Sequence, residues 1–191
     1  MKVVNLLGED FSEACKSLYA KASDNDYDLI VGIATGGLHV LDNMNTFNSI
    51  DKLILKRQRR STKKKNKLNV SRFLRLMPMF ILNKLRVLEV YLAERKFHQK
   101  GMLRDTADIL VLNGDVEILK IKNIKKILIV DDAIDSGSTI LDIIDFLKSK
   151  GINGEIHTAV LTVTFKKPLI TPTFTLYNQV LLRCPWAMDV K

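Results

Sequence analysis

Cysteine, histidine and tryptophan are scarce here, at two, three and one in 191 residues. Cys15 and Cys184 lie far apart with no CxxC pair, which excludes a disulfide framework. The three histidines are scattered, so no zinc-binding spacing is present. Each cysteine reads as a small buried hydrophobe rather than a nucleophile. Hydrophobic runs such as Leu76–Leu82 fall far short of the ~20 residues that cross a bilayer. The stretch 1–8 does not read as a signal peptide, and the expected location is the cytoplasm. Low apolar content is not among the absences. At 47% hydrophobic, the chain can bury a core and is not a disordered segment. Its length is that of one domain, 1–191.

Charge is plentiful but uneven. The net charge is +9, and nine basic residues between Lys52 and Lys67 account for it without an intervening acid. The excess is therefore local. Such a run attracts polyanions, whether as a solvated loop, a loop closing over a phosphorylated substrate, or a nucleic-acid contact. No aromatic residue interleaves it, which counts against a base-stacking platform.

Phe11, Ala14, Cys15, Leu18 and Tyr19 recur at helical spacing behind Glu9 and Asp10. Leu29–Ile33 reads as a strand, Ala34-Thr35-Gly36-Gly37 as a turn, and Leu38–Met44 as a helix. Leu53–Leu55 is a second short strand leading into the basic run. Between 69 and 99 apolar residues fall at steps of one, three and four. They predict one or two helices, broken near Met77 by Pro78, that form a cap or an oligomer surface. Ile109–Leu112, Asn113-Gly114 and Val116–Ile118 predict a β-hairpin. Ile127–Val130 has the continuous aliphatic character of a central parallel strand. A helix follows to Gly151, then a strand at Ile156–Val163 and short strands at Thr173–Tyr177 and Val180–Leu182. Alternating strands and helices imply an α/β fold: a mostly parallel central sheet of about five strands with helices on both faces. The region 69–99 is expected as a helical insertion between these strands, and the C-terminus as a small hood.

The chemistry concentrates in Ile127–Thr139. A buried strand delivers Asp131 and Asp132 at its carboxyl end, where open α/β sheets bind ligands. Adjacent acids repel unless a cation or hydroxyl donors satisfy them, and sugar diols and hydrated Mg²⁺ both suit. Ser136, Gly137, Ser138 and Thr139 then open a helix, with N–H groups and hydroxyls able to converge on an anion. Ribose hydroxyls at one end and phosphate at the other describe a sugar 5′-phosphate. N-capping alone explains one hydroxyl, not three Asp and a Gly in nine residues.

This segment resembles the phosphoribosyl-pyrophosphate motif of the type I phosphoribosyltransferases: four aliphatics, two acids, two aliphatics, Asp, a small hydroxylated residue, Gly, any residue, Thr. Ala133 is small for its slot. The resemblance implies an enzyme in which a base displaces pyrophosphate from phosphoribosyl pyrophosphate with Mg²⁺. Asp131 and Asp132 would hold the ribose hydroxyls and interact with the metal. Ser136, Gly137, Ser138 and Thr139 would hold the 5′-phosphate, and Asp135 would be the general acid/base. Thr35, Gly36 and Gly37 resemble the family's pyrophosphate loop, which often carries a non-proline cis peptide, placed here at Ala34–Thr35. Arg57 is the basic residue assigned to the pyrophosphate. The segment Leu182–Asp189 resembles the Pro-Trp segment of the xanthine-guanine and related bacterial purine enzymes. That makes Trp186 a base-stacking residue and Lys167, in Lys166-Lys167-Pro168, a contact to a purine 6-oxo group. Ala187 replaces the acid usual after the Trp. The expected acceptor is an oxopurine (hypoxanthine, guanine or xanthine), as in purine salvage, and the expected state a homodimer with no membrane partner. Two alternatives remain: a regulatory relative that senses donor or nucleotide and binds RNA through 52–67, and an enzyme with another acceptor.

Overall fold

The computed structural model describes residues 1–44, 50–59, 78–101 and 107–187. In chain order the elements are β1 Lys2–Asn5, α1 Glu9–Ala22, β2 Leu29–Ile33, α2 Gly36–Met44, β3 Asp51–Arg59, α3 Met79–Gln99, β4 Ala107–Asn113, α4 Val116–Ile121, β5 Lys126–Ile134, α5 Ser138–Ser149, β6 Glu155–Val163, β7 Phe174–Asn178 and β8 Val180–Arg183. Six strands form one sheet in the order β4-β3-β2-β5-β6-β7. All pairings are parallel except β3 with β4. The sheet has one strand more than the expected five.

Period-two alternation explains how the sheet is covered on both faces. Ile30, Leu128 and Val130 point to one side, against Cys15 and Leu18 of α1 and Val40 and Met44 of α2. Leu29, Val31, Ile127 and Ile129 point to the other, against Leu119 of α4 and Ile140, Ile143 and Leu147 of α5. The chain leaves β2 for β3 on one side and returns to β5 on the other. The crevice at the carboxyl ends of β2 and β5 is thus the topological switch point, the favoured ligand position in such sheets.

The hairpin expected at 109–118 does not form. β4 pairs antiparallel with β3, and residues 116–121 are helix. The Asp115 carboxylate accepts the N–H groups of Glu117 and Ile118, so this N-cap outweighs the Asn-Gly turn signal. The second strand is also longer than Leu53–Leu55. It runs to Arg59, so Lys52, Lys56 and Arg57 of the basic run lie on β3, while 60–67 fall outside the described residues.

β1 and β8 form a separate parallel pair, which makes the hood. β8 carries Arg183, 1% exposed, whose guanidinium donates to Asn5 Oδ1 of β1 at 2.6 Å and Asn83 Oδ1 of α3 at 2.8 Å. The insertion is a single described helix of 21 residues that starts after Pro78; its expected portion at 69–77 lies outside the described residues. Among the described residues no helix is long and apolar enough to cross a membrane.

Candidate active site

Two loops meet at the switch point. After β2 the chain turns through a cis Ala34–Thr35 peptide, and Ala34 N–H donates to Leu55 O of β3 at 2.8 Å. The two glycines that follow allow α2 to approach the end of β5. A Cβ on Gly36 would lie 2.2 Å from Asp132 Cγ, and one on Gly37 would lie 2.3 Å from Val130 O. The structure thus brings Gly36 and Gly37 against Asp131 and Asp132, with Thr35 the residue before them in the turn. A glycine turn packed directly against an acidic pair is suited to a ligand that bears both phosphates and hydroxyls.

Asp131 is buried and Asp132 half-buried. Asp132 N–H donates to Asp131 Oδ1 at 2.9 Å. Burial raises both carboxyls above their ordinary value, and the charge of Asp132 pushes Asp131 up further. Hydroxyl donors or a hard cation would offset that cost by favouring the charged forms.

Beyond the pair, Gly137 takes a left-handed conformation (φ 81°) and opens α5. Ser136 Oγ donates to Ser138 Oγ at 3.0 Å and accepts from Ser138 N–H at 3.3 Å. These bonds hold the loop in a tight turn at a helix N-terminus, with Thr139 in the first turn. Leu169 N–H donates to Ser136 O at 2.8 Å, tying the loop to the segment after β6. Asp135 is exposed, and its Oδ1 accepts the hydroxyl of buried Thr164.

A cleft of about 430 Å³ opens over this loop. Asp135, Ser136, Ser138 and Arg57 line it from the sheet side, and Phe165 lies with them. Arg57 does not hang in a free loop. Its side chain is 7% exposed, and its Nε is 2.5 Å from Asp142 Oδ2 of α5.

The two acceptor residues expected from sequence do not line this cleft. Lys167 is exposed and lines a separate cleft of about 350 Å³ with Tyr91, Glu94 and His98. Its N–H donates to Glu94 Oε1 at 3.3 Å. The Trp186 ring stacks on His39 (centroids 4.7 Å apart, planes at 21°) and meets Phe11 edge-on at 5.3 Å. Neither residue lines the cleft beside Asp135. Sequence reasoning missed Thr164, Phe165, Asp142 and the α3 residues of that cleft. Only the helical period of 69–99 was visible for the last of these, and a period does not say where a helix docks.

Residues 76–168 match the family model described as a phosphoribosyl transferase domain. That match covers just under half of the chain. Its fold is that of the type I phosphoribosyltransferases: it superposes on a purine phosphoribosyltransferase from Pyrococcus horikoshii with a TM-score of 0.59 at 18% identity, over 97% of this chain and 94% of that one. A xanthine-guanine-hypoxanthine phosphoribosyltransferase from Helicobacter pylori gives a TM-score of 0.62 at 12% identity, over 96% and 93%. A Neisseria gonorrhoeae protein with bound ppGpp gives 0.55 at 14%, over 97% and 89%. No curated protein matches the chain. The domain's switch-point crevice, two glycines and paired acids occupy one place in this fold.

Proposed function

We propose that the protein transfers the phosphoribosyl group from phosphoribosyl pyrophosphate to an oxopurine, releasing pyrophosphate, in a Mg²⁺-dependent reaction. The observation that carries this is the meeting of Gly36 and Gly37 with Asp131 and Asp132 beside the Ser136–Thr139 turn. Pyrophosphate would lie on loop 35–37, the ribose diol on the acids, and the 5′-phosphate on the N–H groups opening α5. The oxocarbenium-like state of glycosyl transfer is opposed by carboxylates on the ribose side. Asp135 is held through Oδ1 by Thr164, and its other oxygen is left to take or give the base proton.

Among the described residues no group of three or more His, Cys, Asp or Glu could hold a metal alone. Mg²⁺ commonly needs only one or two carboxylates plus substrate oxygens, and Asp131 and Asp132 fit that role. When bound, it would neutralise developing negative charge on the leaving group.

One observation favours a second reading. Trp186 has a ring face against His39 rather than in the Asp135 cleft, so the acceptor contact assigned to it has no counterpart there. A protein of this shape could sense a phosphorylated ligand, with the basic run meeting RNA. The exposed apolar residues of α3 (Phe80, Leu85, Leu88, Tyr91 and Leu92) support the proposed homodimer.

Pyrophosphate release across guanine, xanthine, hypoxanthine, adenine, uracil and orotate tests the proposal. Release with oxopurines alone is expected, with Asp135→Asn lowering turnover far more than donor affinity. Donor binding without release for any base favours the sensor, and equal losses in Asp135→Asn contradict its proton-transfer role.

A further inference from the structure

We propose that helix α3 is part of the ligand site and that the Lys96 ammonium binds a phosphate of the ligand held at Ser136–Thr139. The proposal rests on the phosphoribosyl transfer argued above and assigns a role to the insertion.

The cleft over the motif has two walls. One is the Asp135–Ser138 turn with Arg57, and the other is a face of α3 that includes Glu89, Lys96, Phe97 and Lys100. These α3 residues recur at one, three and seven, so they share one side of the helix. The helix is fixed at three places. Asn83 accepts from buried Arg183, Glu94 Oε1 accepts Lys166 N–H at 2.6 Å, and Phe97 meets Phe165 with centroids 6.1 Å apart. Phe165 lies on the segment that also carries Thr164, the partner of Asp135. The α3 wall is therefore registered against the acid/base candidate.

Charge in the cleft is divided along its length. Glu89 lies two turns before Lys96, about 10 Å along the axis, and Lys100 lies one turn beyond it. The end marked by Lys96 and Lys100 is basic. The Arg57 guanidinium on the opposite side is engaged by Asp142. The Lys96 ammonium has no hydrogen bond or ion pair among the described residues, and Lys96 lines the cleft together with Ser136 and Ser138. A flexible stem with three donors suits a phosphate oxygen. Ribose 5-phosphate carries the shared group without pyrophosphate and isolates the contact.

The test is calorimetric titration of the full chain with ribose 5-phosphate and with phosphoribosyl pyrophosphate plus Mg²⁺. Variants are Lys96→Met, Lys96→Arg, Ser138→Ala, and Lys84→Met as a control on an exposed part of α3. Lys96→Met should weaken both ligands about tenfold, the scale of one charge-assisted hydrogen bond, and more at low salt. Lys96→Arg should recover most of the loss, and Lys84→Met should change nothing. Lys96 is exposed, so Lys96→Met is expected to melt like the parent, and a melting check removes misfolding as a cause. Lys96→Met binding like the parent while Ser138→Ala binds weakly overturns this inference and leaves the donor site standing. A parent chain that binds neither ligand overturns both. A loss equal in Lys84→Met and Lys96→Met also overturns it, because bulk charge would then suffice.

Discussion

Gly36 and Gly37 are neighbours in sequence but meet different obstacles. A Cβ on Gly37 would strike backbone, 2.3 Å from Val130 O and 2.8 Å from Asp131 Cα. Backbone in a central strand cannot yield cheaply. A Cβ on Gly36 would first meet the Asp132 carboxylate, the end of a side chain. Gly37→Ala should therefore lose about 1–3 kcal/mol of stability, the usual cost of overpacking. Gly36→Ala should fold nearly as well as the parent, with Asp132 displaced and donor binding weakened. Urea midpoints of the two variants check this, and equal midpoints would contradict it. The same residues show what the sequence makes legible. Gly-Gly after an apolar run signals close approach, and Asp131 and Asp132 signal a ligand. That these features touch is a long-range fact, set by parallel pairing of Gly32 with Val130. Trp186 is the converse. Its segment was recognisable, yet its stacking on His39 depends on how the hood packs against α2.

At the scale of elements, β2 and β5 are locked at their starts as well as at their functional ends. The Asp28 carboxylate accepts from Lys126 N–H at 2.9 Å and Lys125 N–H at 2.8 Å, while Asp28 N–H donates to Lys126 O. The Lys126 bond, then the Lys125 bond, lowers the Asp28 carboxyl below its ordinary value of 3.8. A lowered folded value adds stability that is fully present above the unfolded value of ~3.9 and is lost as pH falls through the folded one. The stability gap between the parent and Asp28→Asn should close on acidification from pH 6 towards pH 3. A gap independent of pH, measured by urea unfolding, would contradict the assignment. β2 and β5 were legible because strands buried on both faces read as continuous aliphatic runs. β1 was not, since Lys2–Asn5 is a strand only by pairing with β8, at the other end of the chain. α4 was misread as a strand because its six residues are too few to show a period, and the deciding signal was the Asp115 cap.

The whole molecule gathers distant sequence around the carboxyl end of β5: two glycines near the start meet the acid pair, and the inserted helix faces the Asp135–Ser138 turn that follows. The hood is joined to that helix through buried Arg183, so its strands and the cleft wall form one connected body. On the proposed function, the crevice between β2 and β5 holds phosphoribosyl pyrophosphate on Asp131 and Asp132. The most direct measurement is calorimetric titration of this donor, with Mg²⁺, into the parent chain and into the Asp131→Asn/Asp132→Asn double variant. Saturable one-to-one binding by the parent and a loss of at least about tenfold in the variant are expected. No binding by the parent, or equal binding by both chains, would contradict it.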